Sequence, residues 1–161
     1  MIFFHRNGIA AMSHSYKIHF FHLIWSTQSR KPLISPEIKE HLYPYMGGII
    51  KNLNGTLLEI GGMPDHVHLL IHMNNLDKYS YFIRDVKCES SLFINKKFDL
   101  PSKFAWQKGF ASISASFSLV DRIRNYIKNQ EQHHKKFTFE EEFIKFLNDQ
   151  NIPFDKRFVF D

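Results

Sequence analysis

One cysteine, Cys88, occurs in 161 residues. A lone thiol closes no intrachain disulfide, so packing alone must hold the fold, as in a reducing compartment, and the cytoplasm is the expected location. Glycine (7) and proline (6) are sparse, which excludes collagen-like and low-complexity chains. With 43% hydrophobic and 23% charged residues the chain is not a disordered one either. Long apolar runs are also missing. Ile2 to Phe4 is interrupted at once by His5 and Arg6 and is too short for a signal-peptide core, and nothing approaches the ~18 apolar residues of a membrane span. Neither export nor membrane insertion is expected. A strand-like pattern starts just after Met12, so residues 1–12 read as an N-terminal extension outside the core. Residues 13–161 then form a single domain that includes a C-terminal helix.

What is abundant is aromatic and basic: seventeen Phe, ten His and a formal charge of +5. The charge is unevenly spread, with 11 Lys+Arg against 5 Asp+Glu in residues 84–136 and near balance or an acidic excess elsewhere. Basic charge gathered in one segment suits a polyanion, because each neutralised phosphate releases a counterion, and it equally suits a plain solvated surface.

The pattern predicts a first strand over Tyr16–Trp25 and a helix capped by Ser35 with Pro36 in its first turn. That helix runs to about Asn54, with Pro44 a point of irregularity. Asn54-Gly55 marks a turn, followed by strands at Leu57–Ile60 and His66–Met73 and a second helix over Leu76–Phe98. A fourth strand is expected over Phe104–Ser116 and a third helix over Ser118–His134. A last helix opens at Thr138-Phe139-Glu140-Glu141 with a capping-box pattern and runs to about Asn148. The order β-α-β-β-α-β followed by helices predicts an α+β fold, a ferredoxin-like antiparallel β-sheet with helices on one face and the other face available.

Two segments carry chemistry. In Asp65-His66-Val67-His68-Leu69-Leu70-Ile71-His72, strand alternation sends Val67, Leu69 and Ile71 to the core and His66, His68, Leu70 and His72 to the opposite face. Paired imidazoles at i and i+2 can share a metal ion, although such pairs are more often surface or satisfied core histidines. Asp65 fits an acceptor that orients a ligand imidazole, or a turn residue. In the third helix, Leu119, Val120, Ile123, Tyr126, Ile127 and Gln130 fall on the inner side. A buried glutamine needs a partner. If that partner is a metal on His66 and His68, Gln130 is its third ligand and the Tyr126 hydroxyl stands close by. His133 and His134 read as exposed or structural.

Together these residues resemble the single-tyrosine HUH transposases of the insertion-sequence-200-like group, which move DNA as single strands. The resemblance runs through Ser13–Pro32, Glu59–Ile71 with His66-Val67-His68, Trp106–Ser118 and Tyr126–His134 with Tyr-Ile-Lys-Asn-Gln, in one order over nearly the whole chain. It implies His66, His68 and Gln130 as ligands of a divalent ion, Mg²⁺ or Mn²⁺, and Tyr126 as the nucleophile. It implies a 5′-phosphotyrosine intermediate, single-stranded or hairpin DNA at element ends as substrate, and a homodimer. DNA contacts are expected from Arg84, Lys87, Lys103, Lys108 and Arg122. Phe104, Trp106 and Phe110 fit base stacking less well than core packing. The alternative is a host-adopted protein that binds or nicks single-stranded repeats without transposition.

Overall fold

Alternation and capping place each element where the site needs it. The computed structural model of the chain describes residues 17–135 and 138–155; the expected N-terminal extension, residues 1–12, lies outside them. Strand β1 (His19–Ser26) leads through a short 3₁₀ turn into helix α1 (Pro36–Asn52). Ser35 caps α1 by accepting the Ile38 N–H at 3.2 Å. Pro44 does not break α1; it stands on the exposed side, where water can satisfy the Glu40 carbonyl that loses its donor. Asn54 takes a left-handed conformation (φ 60) and turns the chain into β2 (Gly55–Met63). A two-residue Pro64-Asp65 turn joins β2 to β3 (His66–Met73), with Met63 opposite His66.

Helix α2 (Tyr79–Lys97) begins three residues later than the pattern predicts, because the Asn75 side chain accepts the Asp77 N–H at 2.8 Å and holds a turn there. Strand β4 covers only Ala111–Ala115. Before it the chain makes an isolated bridge, Trp106 opposite Thr27, and side chains pin the rest: Asn95 bonds both backbone groups of Phe104, the Gln107 side chain accepts the Ser26 N–H, and Lys87 donates to the carbonyls of Lys108 and Gly109. The expected third helix is likewise divided, into α3 (Val120–Lys128) and a single turn, α4 (Gln130–His133). Asn129 breaks it, its amide side chain donating to the Asn125 carbonyl at 2.7 Å. Leu119, expected inside, lies in the preceding turn and is 42% exposed. Helix α5 (Phe139–Asp149) begins with the expected capping box, in which Thr138 and Glu141 exchange hydrogen bonds.

The strands form one antiparallel sheet in the order β2-β3-β1-β4, the ferredoxin-like α+β arrangement read from the element order. On one face, Leu23, Trp25, Val67, Leu69 and Ile71 pack with Ile38, Leu42, Met46 and Ile50 of α1 and Phe82, Ile83, Val86 and Ile94 of α2. The other face, expected to be available, is instead roofed by the C-terminal helices, because apolar side chains of α3 and α5 bury against it. Phe20 and Leu70 meet Val120 and Ile127 of α3, and Ile24 and Ala111 meet Phe139, Phe143 and Leu147 of α5. Buried from both sides, β3 keeps His66 and His68 away from bulk water, while His72 near its end stays partly exposed.

Candidate active site

Adjacent central strands bring three histidines onto the roofed face. His66 and His68 on β3 and His22 on β1 are all at most 3% exposed. The antiparallel register sets His22 beside His68, with His22 Nε2 3.0 Å from His68 Nδ1. Burial lowers the His22 pKa to about 4. Burial, then the neighbouring histidines, holds His68 well below its ordinary 6.5. Both are therefore neutral near pH 7.

Asp65 does both of the jobs its position suggested, closing the hairpin turn and accepting from His66 Nδ1 at 2.8 Å through its Oδ1. Burial alone would raise the Asp65 carboxyl, but hydrogen bonds from His66 and from Arg30 outweigh it and bring the pKa down to about 2. A carboxylate can only accept, so His66 carries its proton on Nδ1 and turns a bare Nε2 toward the site. Among the described residues, neither His66 Nε2 nor His68 Nε2 has a hydrogen-bond partner, although both are buried. Two such nitrogens facing one space are the donor set a divalent ion takes.

Helix α3 lies close on the sheet because Gly61 has no side chain. A Cβ there would stand 2.5 Å from the Ile127 carbonyl oxygen. That approach sets the Tyr126 ring edge-on to His22 and His68, with centroids 6.0 and 5.8 Å apart. Gly62 has φ +145, a conformation side chains avoid, and a Cβ there would meet the His66 carbonyl oxygen.

Gln130 is 1% exposed and finds partners on both ends of its amide. Its Nε2 donates to Glu142 Oε1 at 3.2 Å, and its Oε1 lies 3.0 Å from His134 Nε2. Glu142 reaches in from α5, and burial raises its pKa to about 8. His66, His68 and Glu142 each offer a ligand atom, all within 4.8 Å of one another. The four residues His66, His68, Tyr126 and Gln130 are thus brought together. Glu142 and His22 join them without having been singled out from the sequence, and His134, read as exposed or structural, takes the structural place beside Gln130 and Glu142. His22 had a signal, since alternation puts Phe20, His22 and Ile24 on one face of β1. Glu142 had one too: it sits inside the Phe139, Phe143 and Phe146 side of α5, among residues that bury.

The expected DNA contacts do not form one group. Arg84, Lys87 and Lys108 line a groove of about 300 Å³ beside α2, with Phe110 and Trp106. Lys87 is committed to two backbone carbonyls, and Arg84 pairs with Asp85. Lys103 is exposed in the segment between α2 and β4, whereas Arg122 is exposed on α3, over the opposite face. Phe104 and Trp106 are core residues at 1% and 8% exposure, and Phe110 is exposed. Among the described residues, no helix is long and apolar enough to cross a membrane.

The chain is similar to two solved structures. A candidate transposase from Deinococcus radiodurans R1 is 23% identical, with a TM-score of 0.61, over 76% of this chain and 98% of that one. A REP-associated tyrosine transposase, solved bound to a REP hairpin, is 13% identical, with a TM-score of 0.58, over 78% of this chain and 74% of that one. Identities this low establish the shared fold and no more. No curated protein matches the chain. The family described as "Transposase IS200 like" matches residues 14–130, a stretch that holds His66, His68, Tyr126 and Gln130. The chain belongs to the IS200-like transposase family, whose activity is DNA strand transfer.

Proposed function

We propose that this chain cleaves and rejoins single-stranded DNA at the ends of an insertion sequence, with Tyr126 as nucleophile and His66, His68 and Gln130 holding Mg²⁺ or Mn²⁺. The observation that carries the reading is the Tyr126 ring 5.8 Å from His68, above two buried imidazoles whose Nε2 atoms lack a protein partner among the described residues. Orphaned ring nitrogens beside a side-chain amide fit a divalent ion. When bound, such an ion screens the phosphodiester charge and polarises the phosphorus.

The chain's own residues supply the rest. Asp65 fixes the His66 tautomer and His22 holds His68, so neither imidazole has to reorganise. The Tyr126 hydroxyl gives up its proton and its oxygen bonds to phosphorus. The P–O3′ bond breaks, and the leaving 3′ oxygen takes a proton. The phosphotyrosine ester keeps the energy of the broken bond, so a second 3′-hydroxyl can attack it and regenerate Tyr126 without ATP. Arg84, Lys87, Lys103, Lys108 and Arg122 are the proposed phosphate contacts. A homodimer is the proposed assembly; here α3 packs against its own chain's sheet.

Labelled single strands taken from the DNA flanking the gene test the reading. With Mg²⁺ or Mn²⁺ the wild type should form a covalent protein–DNA adduct, and Tyr126→Phe should form none. An adduct that persists in Tyr126→Phe overturns the nucleophile. Tight binding that survives chelation, with no cleavage by the wild type, overturns the enzyme reading in favour of a binding module.

A further inference from the structure

Glu142 is not needed by any step above, yet it is the most deeply placed acid among the described residues, 8% exposed on the inner side of α5. Its surroundings are crowded with nitrogen. Oε1 lies 3.2 Å from Gln130 Nε2, 3.7 Å from His133 Nε2 and 3.9 Å from His68 Nε2, and Oε2 lies 2.9 Å from His134 Nε2. A carboxylate needs this much company when buried. What company alone does not explain is the direction it faces, toward the two histidine nitrogens that have no hydrogen-bond partner among the described residues.

We propose that Glu142 is a further protein donor to the divalent ion at His66 and His68, delivered by α5 and held in position by Gln130. The inference rests on the metal reading above. Three observations carry it. One ligand atom from each of His66, His68 and Glu142 lies within 4.8 Å of the others. An ion with bonds of ~2.1 Å spaces its donors by about 3–4 Å, so a small side-chain adjustment closes the group. Second, Mg²⁺ and Mn²⁺ favour carboxylate oxygen, and two imidazoles with an amide offer them no charged donor. Third, α5 is fixed over the site by independent contacts. Phe139 stacks on the His66 ring at 4.3 Å, Phe146 meets His22 edge-on at 5.5 Å, and the Thr138–Glu141 capping box sets where the helix begins. Gln130, whose Nε2 donates to the carboxylate, then acts as a positioning residue for Glu142 as well as a neighbour of the ion.

The same arrangement couples α5 to the ion. Loading the site should tie the helix down, and a variant without the carboxylate should bind metal more weakly and lose that response.

Mn²⁺ titration of the full chain by calorimetry and by electron paramagnetic resonance, together with hydrogen exchange of the α5 amides, tests this. Glu142→Gln should weaken Mn²⁺ binding by about 10- to 100-fold. Mn²⁺ should slow exchange across α5 in the wild type and not in Glu142→Gln. If Glu142→Gln does not melt cooperatively, substoichiometric Mn²⁺ added to wild type with a ¹³C-labelled carboxyl at Glu142 decides instead, with strong broadening of that signal expected. Equal Mn²⁺ affinity in wild type and Glu142→Gln, or an unbroadened carboxyl signal while Mn²⁺ binds, reduces Glu142 to an acceptor for Gln130 and His134 and overturns the inference alone. A wild type that binds no Mn²⁺ overturns the metal reading and this inference with it.

Discussion

The two faces of the sheet are built from the same strands and by opposite rules. Toward α1 and α2 the strands send Leu23, Trp25, Val67, Leu69 and Ile71 into an interior whose other members are almost all apolar. Toward α3, α4 and α5 they send His22, His66 and His68, buried as deeply and set between two smaller apolar clusters, with Gln130 and Glu142 among their neighbours. Burial on the first face stabilises the fold by removing apolar surface from water. Burial on the second keeps His22 and His68 uncharged near pH 7 and, among the described residues, leaves the Nε2 atoms of His66 and His68 without a hydrogen-bond partner, a local cost that the first face must offset. One strand alternation therefore puts the large apolar interior on one side of the sheet and the candidate site on the other.

If that division is right, damage to the first face should appear as lost stability with the chemistry intact. Leu42 of α1 is fully buried. Leu42→Ala should cost about 2–5 kcal/mol of unfolding free energy in urea. Mn²⁺ affinity and adduct formation per folded molecule should stay at the wild-type level; a loss of either would mean that the two faces are mechanically coupled.

The second face should be the acid-sensitive one. His22 titrates at about 4 in the folded chain against 6.5 when unfolded. As pH falls below 6.5 the unfolded chain takes up the proton first, so stability present above 6.5 is lost on the way down to about 4. The full effect is on the order of 3 kcal/mol. Glu142 works in the opposite direction, since its raised pKa means stability that is lost as pH rises from 4.5 toward 8. The informative quantity is thus the difference between wild type and His22→Leu, unfolded in chelator from pH 7 to 4, and a flat difference would refute the assignment of His22.

How far each face could be read from the sequence follows the same division. The apolar face and the sheet order were legible, because alternation in residues 16–25 and 66–73 and the caps at Ser35 and Thr138 are local signals. His66, His68, Tyr126 and Gln130, all four of which lie on the roofed face, were singled out by strand alternation, helix periodicity and the family resemblance. Glu142 was not, because its place depends on how α5 crosses the sheet, and three consecutive glutamates after Thr138 read first as a helix start. The divided third helix and the short β4 escaped for a related reason. In both a side-chain amide intervenes: Asn129 adds its side chain to the Asn125 carbonyl that its own N–H already bonds, and Asn95 and Gln107 take backbone bonds of Phe104 and Ser26.

Gly61 is where the faces can be pulled apart without touching a functional side chain. A Cβ at this position would stand 2.5 Å from the Ile127 carbonyl oxygen and 2.9 Å from its Cγ2. Gly61→Ala must lift α3 or distort β2, at about 1–3 kcal/mol. Because Tyr126 precedes Ile127, the lift should also move the hydroxyl and abolish adduct formation while Mn²⁺ still binds at His66 and His68. Preserved cleavage would show that the tyrosine does not depend on this close approach.

The smallest expected effect lies at the seam between the faces. Arg30 donates to Asp65 Oδ2 at 2.8 Å and to Glu140 Oε1 at 2.7 Å, and its guanidinium lies 5.0 Å from the Phe139 ring centre. It therefore joins the acceptor that orients His66 to the first turn of α5. Arg30 is partly exposed and solvent screens its pairs, so Arg30→Ala should cost only about 0.5–1 kcal/mol globally. Locally the change should be larger in kind. Hydrogen exchange in the first turn of α5 should quicken while α1 and α2 stay protected. Asp65, freed of one of the two partners that hold its carboxyl near 2, should titrate higher by ¹³C carboxyl NMR. Equal quickening across α1, α2 and α5 would mean that Arg30 supports the fold as a whole and not the roof over the histidines.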